Sequence, residues 1–218
     1  MPPVGRPRSF DRDAALLAAM NMFWALGYEG TSLTDLTQAM NINRPSLYAA
    51  FGSKEKLFAE ALALYEDIEG GVITRLLDDA QTARAGIEAT LRHNARVYVE
   101  EGRPRGCMIV LSHLVGTPES TEIRPLLVAR REAGEAELGD RIERGKTNGD
   151  VPADADSKGL AAFYTTILQG MSIKARDGAT ESELDEIVTV AMSAWPEKLD
   201  PESVGEQANE TFGTGRTW

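Results

Sequence analysis

The segment from residue 44 to residue 54 carries the side chains best suited to recognition chemistry. Arg44 can donate two hydrogen bonds to the edge of a guanine, or it can hold a phosphate. On a helix over 44–51, the apolar Leu47 and Phe51 are expected to face inward. The exposed candidates for contact with a nucleic acid are then Arg44, Pro45, Ser46, Tyr48 and Ala49.

The residues before this segment predict the elements that would position it. Ser32 and Asp35 form a capping box, so a helix opens near Leu33. That helix ends by Asn41, because Asn tolerates the left-handed conformation, and Asn43 can cap the next helix after a short turn. Two short helices joined in this way form a helix-turn-helix, whose second helix fits the major groove of DNA.

Flanking helices are predicted on both sides. Asp11 can cap a first helix that runs to Leu26 and stops at Gly27. Ser53 can cap a fourth helix. Within it, the pair at 70–71 (Gly-Gly) predicts a bend or break, which is either a hinge or a plain loop, because each Gly costs ~1 kcal/mol against Ala in a helix.

Two stretches give the sequence a family resemblance. Residues 27–32 (GYEGTS) and 47–57 (LYAAFGSKEKL) resemble the DNA-binding domain of the TetR family of bacterial transcriptional regulators. The resemblance implies that Tyr48 and Lys54 contact backbone phosphates, and that Thr31 or Ser32 adds a hydrogen bond. It also implies a homodimeric repressor that an effector releases from double-stranded operator DNA. The default effector pocket would be lined by Tyr98, Leu111, Phe163, Tyr164, Ile167 and Met171.

The charge is divided unevenly along the chain. Residues 1–56 carry six basic and five acidic side chains, a net charge of +1, which leaves −12 for the rest of a chain whose total is −11. The acidic part repels DNA from the wrong face, and few phosphate contacts per subunit favour a dimer. Arg6 and Arg8 lie in a Pro-rich and Gly-rich arm, which is either an ordinary frayed terminus or an arm that reaches the minor groove or a phosphate.

The remainder of the chain is predicted to be helical, which makes the fold all-α. Helices are expected over 86–101, 106–115, 120–147, 156–176 and 181–195. This organisation predicts a helix-turn-helix domain over 1–56, an effector-binding and dimerisation domain over 57–195, and a polar tail over 196–218 whose composition favours disorder.

The last two predicted helices have broad apolar faces, which favour pairing with a second copy in a four-helix bundle. The residues expected at that dimer interface are Leu160, Leu168, Leu184, Ile187, Val188, Ala191, Met192 and Trp195.

Cys107 is the only cysteine, which excludes a disulfide within the chain. It follows the basic segment 103–105, and a place in the first turn of a helix would lower its pKa and favour the reactive thiolate. Lys174 could also approach it. The alternative is a buried thiol that acts as a small apolar group.

Other classes of protein find less support. Metal sensing would have to draw on Cys107, Met108, His93 and His113, which lack any recognisable ligand spacing. An enzyme is not expected, since the sequence has no Gly-rich phosphate loop and no catalytic arrangement beyond a neighbouring Ser112 and His113. A protein-interaction module remains a further alternative. No cofactor is predicted, and with no long apolar run and no hydrophobic leader a cytoplasmic location without membrane contact is expected.

Overall fold

The computed structural model describes residues 10–113 and 122–196, and the regular secondary structure in these ranges is helical. Within these ranges no strand occurs, and the predicted all-α class is confirmed. The helices are α1 (Arg12–Gly30), α2 (Leu33–Ala39), α3 (Arg44–Phe51), α4 (Lys54–Asp79), α5 (Ala83–Val97), α6 (Met108–Leu111), α7 (Ile123–Asn148), α8 (Ser157–Arg176) and α9 (Glu181–Met192). Arg6, Arg8 and the tail beyond 196 lie outside the described residues.

The first four helices begin at the predicted caps. Asp11, Asn43 and Ser53 each accept a hydrogen bond from a backbone N–H of the first turn that follows. The capping box is present, with the Asp35 N–H 3.1 Å from Ser32 Oγ and the Ser32 N–H 2.9 Å from the Asp35 carboxylate. These bonds satisfy backbone donors that a helix start leaves unpaired.

Two residues in the left-handed region shape the N-terminal half. Asn41 has φ of 51° in the turn between α2 and α3, as predicted. Gly27 has φ of 73° and interrupts α1, which then makes one further turn to Gly30. A Cβ at position 27 would lie 3.1 Å from the carbonyl oxygen of Ser112. The turn therefore needs glycine both for its conformation and for this close approach.

The predicted break in the fourth helix is wrong. Helix α4 continues through Gly70 and Gly71 without interruption to Asp79. Contacts with α7 hold both sides of the pair, through the ion pair of Glu66 with Arg130 at 2.7 Å and the hydrogen bond from Thr74 to Glu137 at 2.7 Å. Packing of this kind offsets the intrinsic cost of ~1 kcal/mol for each helical glycine.

The second predicted effector-domain helix is much shorter than expected. The structure has only α6 (Met108–Leu111) and a turn in the described part of 106–115, and residues 114–121 are outside it. Gly106 has φ of 76°, so regular helix cannot begin before it. The other helices lie within a few residues of their predicted bounds, with α5 ending at Val97 and α9 at Met192.

Two buried cores share helix α4. One surrounds α1 to α4 and includes Tyr65, and it also takes in Met108 and Ile123 from later in the chain. The other joins α5, α7, α8 and α9 and includes Leu77 near the end of α4. Helix α4 is thus the physical link between the helix-turn-helix and the remaining helices. The division of the chain at residue 56 stays a prediction.

Candidate nucleic-acid interface and buried pocket

Helix α3 exposes one face and buries the other. Leu47 is fully buried and Phe51 is 3% exposed, while Tyr48 on the opposite side is 47% exposed. Arg44, Pro45 and Ala49 are also exposed, and Ser46 is partly so. Arg44 Nη2 donates to Thr34 Oγ1 at 3.0 Å, which uses one of the five N–H donors of a guanidinium and ties the side chain to α2.

The two candidates just before α2, Thr31 and Ser32, differ in whether their side chains can reach a phosphate. Thr31 is fully buried and its hydroxyl donates to the Gly27 carbonyl oxygen at 2.6 Å, so it does not offer a phosphate contact. Ser32 is exposed, its hydroxyl accepts the capping bond from the Asp35 N–H, and side-chain hydrogen bonding with Ser32 lowers the pKa of the Asp35 carboxyl. Of the two alternatives, the structure favours Ser32, because the Thr31 hydroxyl is needed to close the turn after α1.

Lys54 joins the start of α4 to the end of α1. Its Nζ donates to the Tyr28 carbonyl oxygen at 2.7 Å and lies 4.2 Å from the centre of the Tyr28 ring. Burial lowers the pKa of Lys54, although Glu29 and Glu55 act in the opposite direction. Lys56 is exposed beside it, and the sequence analysis did not single it out. The sequence does contain an indication of this role, since Lys56 is a second lysine in the first turn of the helix that begins at Lys54.

A pocket of about 300 Å³ lies between α4, α5, α7 and the segment before α6. Four of its charged lining residues form two ion pairs, Glu66 with Arg130 and Glu69 with Arg103, each at 2.7 Å. The fifth, Glu137, accepts a hydrogen bond from Thr74. Much of the remaining wall is apolar or aromatic. The lining includes Tyr65, Gly70, Ile73, His93, Val97, Tyr98, Gly106, Cys107, Ile109 and Ala133.

Cys107 faces this pocket, but its thiol is not activated. Burial raises the pKa of the Cys107 thiol, and a hydrogen bond from the Tyr65 hydroxyl, 3.5 Å from Sγ, opposes that shift. Burial, with the neighbouring Cys107, also raises the pKa of the Tyr98 hydroxyl. The prediction of a lowered pKa is therefore wrong.

The basic groups expected to activate the thiol are engaged elsewhere. Arg103 pairs with Glu69 and Glu100, and Arg105 donates to the carbonyl oxygen of Ala179. Lys174 is exposed on α8. Together with hydrogen bonds from Thr180, its charge lowers the pKa of Glu183. Helix α6 spans only one turn, too short to provide a strong N-terminal dipole.

The structure places most of the predicted pocket residues elsewhere. Tyr98 lines the pocket, but Leu111 and Ile167 do not. Tyr164 and Met171 are buried in the second core, and Phe163 is 39% exposed on α8. Helix α8 packs against α7 and α9 and contributes no residue to the lining of this pocket. Tyr65 was missed because its place in the apolar stripe of α4 is equally typical of a core residue.

The side chains considered for a metal do not converge. His93 and Cys107 line the pocket, Met108 is buried in the first core, and His113 lies 3.9 Å from Glu29. Among the described residues, no three His, Cys, Asp or Glu side chains are grouped so that they could hold a metal ion.

The apolar faces of α8 and α9 are largely used within the chain itself. Leu184, Val188, Ala191, Met192 and Trp195 are buried, and Leu160, Leu168 and Ile187 pack against the same core. The exposed large apolar side chains on these helices are instead Phe163, Ile173 and Val190, of which Val190 is 72% exposed. The predicted interface residues thus mostly build the subunit core, and a different set remains available to a second copy.

The arrangement of α1 to α4 coincides with a known family model. Residues 15–61 match the model described as bacterial regulatory proteins, tetR family. The chain is 35% identical over 194 residues to the HTH-type transcriptional repressor ComR of Escherichia coli, which covers 88% of this chain and 92% of ComR. The chain belongs to the TetR family.

Other relatives of this TetR-family chain agree in sequence and fold. It is 32% identical over 189 residues to the HTH-type transcriptional repressor BdcR of Escherichia coli, which covers 87% of this chain and 90% of BdcR. A cysteine mutant of the TetR-family regulator CifR, solved in complex with 26-base-pair double-strand operator DNA, superposes with a TM-score of 0.86 at 47% identity. That match covers 88% of this chain and all of the CifR chain. The chain is a helix-turn-helix transcriptional regulator.

None of the described helices combines the length and the apolar character that a membrane crossing requires.

Proposed function

We propose that this TetR-family chain is a homodimeric repressor. It binds double-stranded operator DNA through α3 and releases the DNA when its pocket is occupied or when Cys107 is modified. The observation that carries the proposal is the exposed face of α3, where Arg44, Tyr48 and Ala49 point outward over a buried Leu47. A recognition helix of a helix-turn-helix presents side chains in this way to the major groove. The operator complex of the related CifR supports the same use of this surface.

The exposed residues take different roles on DNA. Arg44 is the candidate for a base edge, because its planar guanidinium can make a bidentate bond to guanine. Tyr48, Ser32 and Lys56 carry donors suited to backbone phosphates, which fix position rather than sequence. Lys54 positions the start of α4 through its bond to Tyr28 and has further N–H donors for phosphate.

Pairing of two subunits doubles a small set of phosphate contacts. Residues 1–56 carry a net charge of only +1, so a single subunit would bind DNA weakly. Phe163, Ile173 and Val190 supply an exposed apolar surface on α8 and α9 against which a second copy packs. The two recognition helices then reach half-sites about 34–36 Å apart.

The pocket suits a small and largely uncharged effector. Four of its five acidic and basic groups form two ion pairs, Glu137 accepts a hydrogen bond from Thr74, and the apolar wall with two tyrosine hydroxyls resembles ordinary small-molecule sites. Because burial keeps the Cys107 thiol protonated, modification there depends on a reagent held next to the sulfur rather than on a standing thiolate. We place the protein in the cytoplasm, where a lone thiol remains reduced.

Binding to the DNA upstream of its own coding sequence tests the repressor proposal. Fluorescence anisotropy compares that fragment with a shuffled fragment of the same length and base composition. We expect the upstream fragment to bind at least about 1,000-fold more tightly at physiological salt, within the usual range for specific sites. Equal affinity for both fragments would count against a specific operator in that region.

A thiol reagent tests the release proposal. N-ethylmaleimide adds the Cys107 sulfur across its double bond, and the thiol proton ends on the neighbouring carbon. Operator release by the wild type but not by Cys107→Ser supports control through this thiol. If both chains release the operator, the reagent acts at another group. If both chains keep the operator bound, release depends on an effector that occupies the pocket without reacting with Cys107.

A further inference from the structure

Trp24 of α1 does not line the pocket, yet it touches three residues that do. Its Nε1 donates to the Gly106 carbonyl oxygen at 2.9 Å. Its ring meets the Tyr65 ring edge-on, with centroids 4.9 Å apart. The Arg103 guanidinium lies 4.6 Å from the ring centre on another side. Trp24 is 3% exposed and belongs to the first core, directly behind these three lining residues.

Each of these partners is also engaged with the pocket. The Tyr65 hydroxyl bonds to Cys107 Sγ, and Arg103 pairs with Glu69 across the lining. Gly106 immediately precedes Cys107 and packs closely on α8, since a Cβ there would lie 2.6 Å from the Ser172 carbonyl oxygen. A ligand or adduct that displaces any of them therefore changes the contacts of Trp24.

Trp24 also sits in the framework of the DNA-reading domain. Its neighbour Phe23 packs edge-on against Phe58 of α4, with centroids 5.0 Å apart. The chain turns at Gly27 three residues later, and α2 begins at Leu33 after one further helical turn. A tilt of α1 at Trp24 would thus move α2 and α3 relative to α4.

We propose that Trp24 is the positioning residue through which the state of the pocket sets the orientation of the reading helices. This inference rests on the proposed function. The hydrogen bond from Nε1 to Gly106 is the contact that differs between the two states: it is made when the protein binds DNA and lost when the pocket is filled. Coupling of this kind is reciprocal, so operator binding must also change the surroundings of Trp24.

A variant that removes only the hydrogen bond tests the coupling. Trp24→Phe retains an aromatic ring against Tyr65 and Arg103 but has no donor for Gly106. The probe is complete alkylation by N-ethylmaleimide, checked by mass, and the readout is the ratio of operator dissociation constants with and without it. We expect a ratio of at least about 10 for the wild type, within the usual range of allosteric coupling, and a ratio below about 3 for Trp24→Phe. The unmodified variant should itself bind the operator more weakly than the wild type, because it lacks the bond that accompanies the DNA-binding state.

Trp195→Phe is the matched control, because Trp195 is also buried, at 6% exposed, but packs against Tyr164 in the other core, with ring centroids 5.6 Å apart. It should keep the wild-type ratio. An undiminished ratio in Trp24→Phe overturns the inference and leaves the proposed function intact. A wild-type ratio near 1 overturns both this inference and control through Cys107.

A second measurement leaves Trp24 in place and remains decisive if the Phe variant does not fold. In a chain with Trp195→Phe and Trp218→Phe, Trp24 is the sole source of tryptophan fluorescence. We expect its emission maximum to shift when saturating operator is added and to shift in the opposite sense on alkylation. Emission that operator leaves unchanged overturns the inference.

Discussion

The guanidinium of Arg176, at the end of α8, donates to the carbonyl oxygen of Trp24 through Nη2 at 2.7 Å, and to that of Ala25 through Nη1 at the same distance. These carbonyls lie just before the turn at Gly27, where a helix leaves its last acceptors unpaired. A cation from the second core thus caps a helix of the first. The two halves of the subunit are held together by this bond as well as by α4.

Replacing Arg176 with Gln should destabilise the protein by about 1–3 kcal/mol, the usual cost of losing hydrogen bonds from a charged donor. The free energy of unfolding from urea denaturation measures the effect. Arg75→Gln on the exposed face of α4 is the matched control and should stay within about 0.5 kcal/mol of the wild type. An Arg176 variant as stable as this control would show that the cap contributes little.

Replacing Arg44 with Ala should weaken operator binding by about 1–3 kcal/mol per half-site and relax the preference at one base position. Lys56→Ala should weaken binding to all sequences alike, and should lower the slope of log affinity against log salt by about 1 for each lost phosphate contact. Anisotropy titrations across a series of base substitutions and salt concentrations separate the two effects. If Arg44→Ala weakens all sequences equally, Arg44 holds a phosphate instead.

Alkylation of Cys107 should be slow at neutral pH and should still accelerate above pH 9. Burial raises the pKa of the folded thiol, so it forms thiolate later than the same residue in the unfolded chain, which titrates near about 8.5. The rate with iodoacetamide, followed by mass, gives the profile, and protein unfolded in urea is the reference. A plateau below pH 8 in the folded protein would mean that the thiol is activated.

The raised pKa of the Cys107 thiol should make the folded protein less stable at high pH. The folded thiol keeps its proton to a higher pH than the unfolded one, so stability is unaffected below the unfolded pKa and falls as the pH rises past it. The Tyr98 hydroxyl, whose pKa burial also raises, acts in the same sense at higher pH. Cys107→Ser should therefore lose less stability than the wild type between pH 8 and pH 10, as measured by urea denaturation.

Replacing Val190 with Glu should dissociate the dimer without unfolding the subunit. Val190 is 72% exposed, so the charge costs little in a monomer but would be buried without a partner between two copies. Sedimentation should show a dissociation constant raised at least about tenfold, the effect of about 1.4 kcal/mol. Ile68→Glu, at an exposed apolar position on α4, is the control. A Val190→Glu chain that remains dimeric would place the interface elsewhere.

The local parts of the reading domain were predictable because their determinants are close together in the chain. The capping box joins Ser32 to Asp35, and the left-handed turn depends on the single residue Asn41. Such bonds reach only three or four positions, so residue type and spacing are sufficient to predict them. The division of α3 into a buried and an exposed face follows from helical periodicity alone.

The pocket was not predictable in the same way. Its wall joins Tyr65 to Cys107 across 42 positions, and Trp24 reaches Gly106 across 82. No periodicity connects residues so distant. Tyr65 and Tyr164 have the same aromatic character on apolar stripes, and only the packing of α4 against α5 and α7 puts the first at a cavity while the second is buried.

By itself, the sequence determined the helices, their caps, the turn between α2 and α3 and the resemblance to a regulator family, because these depend on neighbouring residues. The tertiary structure alone decided that α4 continues through Gly70, that Cys107 is a protonated thiol and that Val188 belongs to the subunit core. Each of these depends on burial and on partners far away in the chain. The balance of desolvation against hydrogen bonding exists only once the helices have packed.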